Sequence, residues 1–110
     1  MKPGDIILVP FPFAELTNRK VRPCVVVCET KDKYRDVVVS AVSSVVPKEL
    51  NENEILVEAD SINNLRSPSI IKVDRIVTVK KADILARIGE LSERHLNDFK
   101  AKFKSLVDSR

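Results

Sequence analysis

A chain of 110 residues with 44% hydrophobic and 32% charged residues has the size and composition of one globular domain, residues 1–110, with its own core. No apolar run approaches the roughly 20 residues that cross a bilayer, and MKPGD leads directly into a strand-like pattern, so neither a membrane span nor a secretory leader is expected. The formal net charge of +3 permits an anionic partner without requiring one.

In chain order, residues 5–11 form a continuous apolar run (Ile6, Ile7, Leu8, Val9) that reads as a buried strand. Residues 11–20 read as a loop, because Pro12 cannot join a central ladder and Thr17-Asn18 is turn material. Strands are expected over 21–29, 36–46 and 54–58, rich in β-branched residues, with Pro47 ending the second of these. Residues 60–68 read as a turn-rich connection. Residues 70–73 and 75–79 read as a β segment bent near Asp74. The period then changes: Leu96, Phe99, Phe103, Leu106 and Val107 recur at helical spacing, which predicts one amphipathic helix over 93–107. Ser92 suits its N-cap, and Leu91 and Leu96 occupy the two positions of a hydrophobic staple. The fold class is therefore mainly β, a largely antiparallel sheet crossed by one C-terminal helix.

Cys24 and Cys28 fall in one strand at a separation of about 13 Å, too far for a disulfide. Period-2 alternation puts both on one face, expected to be the core face, and the pair builds no zinc site. Two free thiols suit a reducing cytoplasm. Only Gly4 and Gly89 are glycines, so no glycine-rich phosphate loop exists.

The segment VRPCVVV carries the most chemistry. Arg22 opens a hydrophobic strand immediately before a proline, which fixes its place, and its guanidinium is a permanently charged fork suited to phosphate. The next apolar run holds the hydroxyl pair Ser43-Ser44. Together they form the beginning of a site for a phosphodiester. Plainer readings stand beside this one. Arg22 is also suited to pairing with an acid such as Asp74. Ser43 alone is an ordinary strand serine. His95, the sole histidine, falls in the first helical turn beside Arg94 and reads as a surface residue, not an acid–base group. Phe11 and Phe13 fit a core as well as a stacking platform. Lys72 and Arg75 fit solvent as well as a phosphate. Basic residues concentrate at Arg19, Lys20, Arg22, Lys31, Lys33 and Arg35, and acids at Glu49, Glu52, Glu54, Glu58 and Asp60, a pattern that solvated loops also produce.

GDIILVPFPF, KVRPCVVV, VSAVSS, SPSIIKVDRIVTV and RIGELSERHL, in that order and spacing, resemble the MazF/PemK family of toxin endoribonucleases over nearly the whole chain. The resemblance implies a small SH3-like barrel, CcdB/MazF-like, that forms a homodimer in the cytoplasm. It implies cleavage of single-stranded RNA by 2′-hydroxyl attack, without metal or cofactor, and neutralisation by a cognate antitoxin. The family's arginine before proline maps onto Arg22 and its catalytic hydroxyl onto Ser43. Phe13, Asn18, Lys20, Ser44, Lys72 and Arg75 are the expected RNA contacts. The chain departs from the family in four places: serine stands where threonine is commoner, AELTNRK lacks the usual glycines, Arg75 replaces a glutamine, and Val77 an arginine. These departures bear on sequence preference, and the cleavage motif is not legible. Two other classes share the fold. A CcdB-like toxin would act on a gyrase by protein contact through residues 106–110, and a silent barrel would bind RNA or a partner without cleaving. The RP and VSS segments favour the nuclease.

Overall fold

The structure is a computed structural model that describes residues 1–10 and 20–108. The expected loop over 11–20, with Phe11, Phe13 and Asn18, therefore lies outside the described residues except for Lys20. Six strands form one antiparallel sheet: β1 (Asp5–Pro10), β2 (Val21–Glu29), β3 (Val37–Ser43), β4 (Glu54–Val57), β5 (Ser69–Val79) and β6 (Ala86–Glu90). Their spatial order is β4-β5-β3-β2-β1-β6, and the sheet curls into a half-barrel. A 3₁₀ turn at Lys81–Asp83 precedes β6, and the helix α1 (Glu93–Asp108) packs back on β4 and β5. Among the described residues no helix is long and apolar enough to cross a membrane.

Alternation along the strands feeds two apolar clusters. Ile6, Val25, Val42, Ile71 and Val73 pack with Leu91 and Phe99 of the helical side. Ile7, Val9, Cys24, Val26, Val37, Val39, Ala41 and Val79 form the other. Six of the eight buried residues of the second cluster are β-branched, the type that strands prefer. The helix is anchored as its sequence indicates. The His95 backbone N–H donates to Ser92 Oγ at 3.3 Å, and Leu91 and Leu96 join the first cluster beside Phe99, which is buried.

Three register shifts interrupt the sheet, one of them between β1 and β6 at Ile6 and Ile7. The β3–β5 pairing runs from Val37↔Val79 to Ser40↔Ile76, then resumes at Ala41↔Lys72, so residues 73–75 have no partner in β3. The expected bend near Asp74 is this bulge, inside one continuous strand of 11 residues. Ser40 is fully buried, and its hydroxyl donates to the Val73 carbonyl at 2.9 Å, satisfying a group that the bulge releases from the ladder. Another bulge lies between Val26 and Cys28 in β2. It breaks the alternation and corrects the expectation that the cysteines share a face: Cys24 is buried and Cys28 exposed. Burial pushes the Cys24 thiol up to about 12. β3 also stops at Ser43, short of the expected residue 46, which leaves Ser44, Val45 and Val46 exposed beyond the ladder.

The β1–β6 side of the sheet is tied electrostatically. Asp5, 4% exposed, meets Lys2 Nζ at 3.0 Å and Arg87 of β6 at 3.2 Å. Burial alone would raise its carboxyl, but the Lys2 backbone N–H, the Lys2 ammonium and Arg87 together hold it below the usual carboxylate range.

The contrast between the thiols is directly measurable. A water-soluble alkylating or disulfide reagent should titrate one thiol in the native protein, Cys28, and two after denaturation. Two fast-reacting thiols in the native state would contradict the bulge.

Candidate active site

The β2–β3 ladder pairs Val25 with Ser40 and Cys24 with Ala41. This ladder ends at Cys24 and Ala41; its register carried on by two residues sets Arg22 opposite Ser43, beyond the last pair, on the face that carries Cys24 and Ala41. Lys72 of β5 pairs with Ala41 and Ile70 with Ser43, so Lys72 is a diagonal neighbour of Ser43 on that same face. Three strands thus deliver an arginine, a hydroxyl and a lysine to one end of the sheet.

That end opens into a cleft of about 920 Å³. Its walls are the beginning of β2 (Val21, Arg22, Pro23), the end of β3 with Ser44 and Val45, the connection residues Asn64 to Ser67, and Ser69, Lys72 and Arg75 of β5. Lys20, Arg22, Arg66, Lys72 and Arg75 all line it, and among the described lining residues there is no carboxylate. Arg22 is half-buried and is not a free charge. Asp74, the acid considered as its partner, is exposed and accepts from Asn53 Nδ2 at 3.2 Å. Among the described residues, Lys20, Arg66, Lys72 and Arg75 take part in no ion pair; those present involve the N-terminus, Lys2, Arg35 and Arg87.

Ser43 Oγ accepts the Val45 backbone N–H at 3.1 Å. This leaves its proton as the group it presents, a donor suited to a non-bridging phosphate oxygen. Because the β3–β5 ladder ends at Ser43, Ser44 is released from strict alternation and also lines the cleft. Both serines therefore line it, although adjacent residues within a strand point to opposite faces. His95 stays with the helix, its Nδ1 3.1 Å from Ser92 Oγ, and does not line the cleft. Among the described residues no group of His, Cys, Asp or Glu is placed to hold a metal ion.

Of the expected contacts, Lys20, Ser44, Lys72 and Arg75 are gathered here with Arg22 and Ser43. Arg66 was not legible as a site residue. It follows a turn built by Asx side chains. Asp60 Oδ1 accepts the N–H groups of Ile62 and Asn63 at 2.9 and 2.7 Å. Buried Asn63 accepts from the Asp60 and Leu65 backbones and donates to the Glu58 carbonyl at 2.9 Å. Asn64 adopts φ 56° and donates through Nδ2 to the Ile88 carbonyl of β6 at 2.6 Å. The density of Asp and Asn at 60, 63 and 64 was the available signal.

The sequence matches the family of PemK-like, MazF-like toxins of type II toxin-antitoxin systems over residues 2–107. The chain belongs to this family. Among solved structures it is similar to the Mycobacterium tuberculosis toxin MazF-mt6, with a TM-score of 0.68 and 19% identity over 94% of this chain and 96% of that one. It is also similar to an endoribonuclease in complex with its cognate antitoxin from mycobacterial species, with a TM-score of 0.67 and 14% identity over 98% and 95% of the two chains. A further Mtb toxin aligns with a TM-score of 0.63 and 21% identity over 91% and 97%. No curated protein matches. At these identities the structures establish a shared MazF-like fold, and the half-barrel with its C-terminal helix is that fold.

Gly89 is the point at which this MazF-like sheet supports the cleft. A Cβ there would collide with the Ile62 carbonyl and lie 2.6 Å from the Asn63 carbonyl, so only glycine lets β6 approach the turn that precedes Arg66. Gly89→Ala should lower unfolding stability by about 1–3 kcal/mol. Urea denaturation checks this, and an unchanged midpoint would show that the turn yields freely.

Proposed function

We propose that this chain is a toxin endoribonuclease that cleaves single-stranded RNA in the cytoplasm. The observation that carries the reading is the cleft that five cations line beside the Ser43 and Ser44 hydroxyls, with no described carboxylate among the lining residues. A polyanion with closely spaced phosphates answers that charge pattern. RNA also brings its own nucleophile, the 2′-hydroxyl. Attack of that oxygen on the adjacent phosphorus expels the 5′-oxygen and leaves a 2′,3′-cyclic phosphate and a 5′-hydroxyl.

Arg22 and Ser43 are the residues proposed to act on the reacting phosphate. Arg22 donates through its fork to the non-bridging oxygens as charge builds on the phosphorane. Ser43, turned into a donor by its contact with the Val45 N–H, fixes one of those oxygens. Arginine is a poor base, since its pKa exceeds about 12, so its part is charge stabilisation. The site needs no metal for this, because the guanidinium and the lysines supply the positive charge. Phe13, Asn18, Lys20, Ser44, Lys72 and Arg75 extend the RNA contact. A CcdB-like action by protein contact would make no use of the cationic cleft.

The protein should cleave a long mixed-sequence RNA in EDTA and leave the matching DNA intact. Arg22→Ala should lower the rate by about 10²–10³ with unchanged circular dichroism. Activity lost in EDTA and restored by a divalent metal, or full turnover by the variant, would overturn the mechanism.

The family match and the antitoxin-bound structural neighbour support a cognate antitoxin as partner. We propose that the antitoxin is acidic where it meets the cleft, competing there with phosphate, and that the toxin is a homodimer. Light scattering should give twice the mass of one chain, and the antitoxin should displace RNA with a salt-sensitive on-rate. A strict monomer, or inhibition that leaves RNA bound, would contradict this arrangement.

A further inference from the structure

The site built around Arg22 and Ser43 accounts for one phosphate. The cleft presents more charge than one phosphate can use. Arg66 belongs to no strand: it is exposed, borders the cleft from the connection between β4 and β5, and has no ion-pair partner among the described residues.

Its backbone is not a loose loop. The turn before it is closed by the Asn64 N–H to the Asp60 carbonyl at 2.9 Å, and it is pinned to β6 by the Glu90 N–H to the Ile62 carbonyl at 3.1 Å. Asn63 holds the Leu65 N–H at 2.9 Å, one residue before Arg66. Ser69 Oγ donates to the Ser67 carbonyl at 3.0 Å, one residue after it. An arginine whose neighbours on both sides are fixed, and whose own guanidinium is unneutralised, is a preorganised anion contact. Lys72 and Arg75 continue the same charge along β5, so the cationic wall extends beyond what the reacting phosphate needs.

We infer that Arg66 is a substrate-positioning residue that holds a phosphate flanking the scissile one, so that this cleft grips a run of at least three nucleotides. The inference rests on the RNA reading of the cleft. Arg66 touches no reacting atom in this assignment. Its contribution is to binding and to the register in which the strand is presented to Arg22 and Ser43.

The test separates binding from cleavage. Binding of a fluorescent oligonucleotide with 2′-O-methyl groups, which cannot be cleaved, is measured by anisotropy over a range of salt for the wild-type protein, Arg66→Ala and Arg66→Lys. Loss of one phosphate contact to a single strand should reduce the slope of log affinity against log salt by about 0.7. Arg66→Ala should show that reduction, with roughly three- to tenfold weaker binding, and Arg66→Lys should restore the slope. In cleavage assays Arg66→Ala should raise KM on a long RNA with little change in kcat. It should act like wild type on a minimal dinucleotide, which has no flanking phosphate. Unchanged affinity and slope in Arg66→Ala would overturn the role of Arg66 while leaving the nuclease reading intact. A wild-type protein that binds the oligonucleotide with these Arg66 effects but cleaves no RNA would overturn the nuclease reading and keep the contact. A wild-type protein that does not bind it would overturn both.

Discussion

The whole site depends on the register in which β2, β3 and β5 pair. A strand has a period of two, so a slip of one residue would turn Arg22 or Ser43 to the opposite face and dissolve the constellation. The register is set by burial. Cys24 and Val26 of β2, and Val37, Val39 and Ala41 of β3, must all reach one apolar cluster, while Val25 and Val42 must reach the other. The apolar residues that fix the core therefore fix the polar residues at the strand ends as well. The bulge over residues 73–75 completes the arrangement, because after it β5 meets Ala41 with Lys72 and Ser43 with Ile70. Ser40 makes the bulge tolerable by giving the Val73 carbonyl a donor inside the core.

Charge in this molecule is sorted as well as packed. A net charge of +3 says little, yet five cations and no described carboxylate line the cleft. The acid-rich stretch Glu49, Glu52, Glu54, Glu58 and Asp60 contributes none of its side chains to that wall. Lys2 and Arg87 neutralise Asp5 and Glu90 at the sheet edge, so structural ion pairing is carried on there. Keeping like charges together costs folding free energy through their repulsion. A polyanionic ligand offsets that cost on binding, and affinity that falls with salt is its signature.

Much of this was legible in the sequence. The β2 boundaries, the bend near Asp74, the start of the helix and its cap each follow from a local pattern: β-branched runs, an interrupted period, a serine before a 3.6-residue repeat. Arg22 was legible because a charge beside a proline at the head of an apolar strand is unusual. What escaped was non-local. The bulge at Cys28 leaves no mark in an unbroken valine run, since all three residues from Val25 to Val27 suit either face. Ser44 was expected as an RNA contact from the family resemblance alone; what the sequence did not show is that the ladder ends one residue earlier, at Ser43. Arg66 lay in a stretch without periodicity, and its placement comes from side-chain hydrogen bonds of Asp60, Asn63 and Asn64 and from the absence of a Cβ at Gly89.

The central claim is that one phosphate is held between Arg22 at the start of β2 and Ser43 at the end of β3. The most direct measurement is a crystal structure of the protein with an uncleavable 2′-O-methyl oligonucleotide. The account predicts a phosphate bridging the Arg22 guanidinium and the Ser43 hydroxyl, with the flanking strand running along the cleft. Nucleic acid seated instead at the opposite pole, on the basic hairpin with Lys31, Lys33 and Arg35, and an empty cleft, would contradict it.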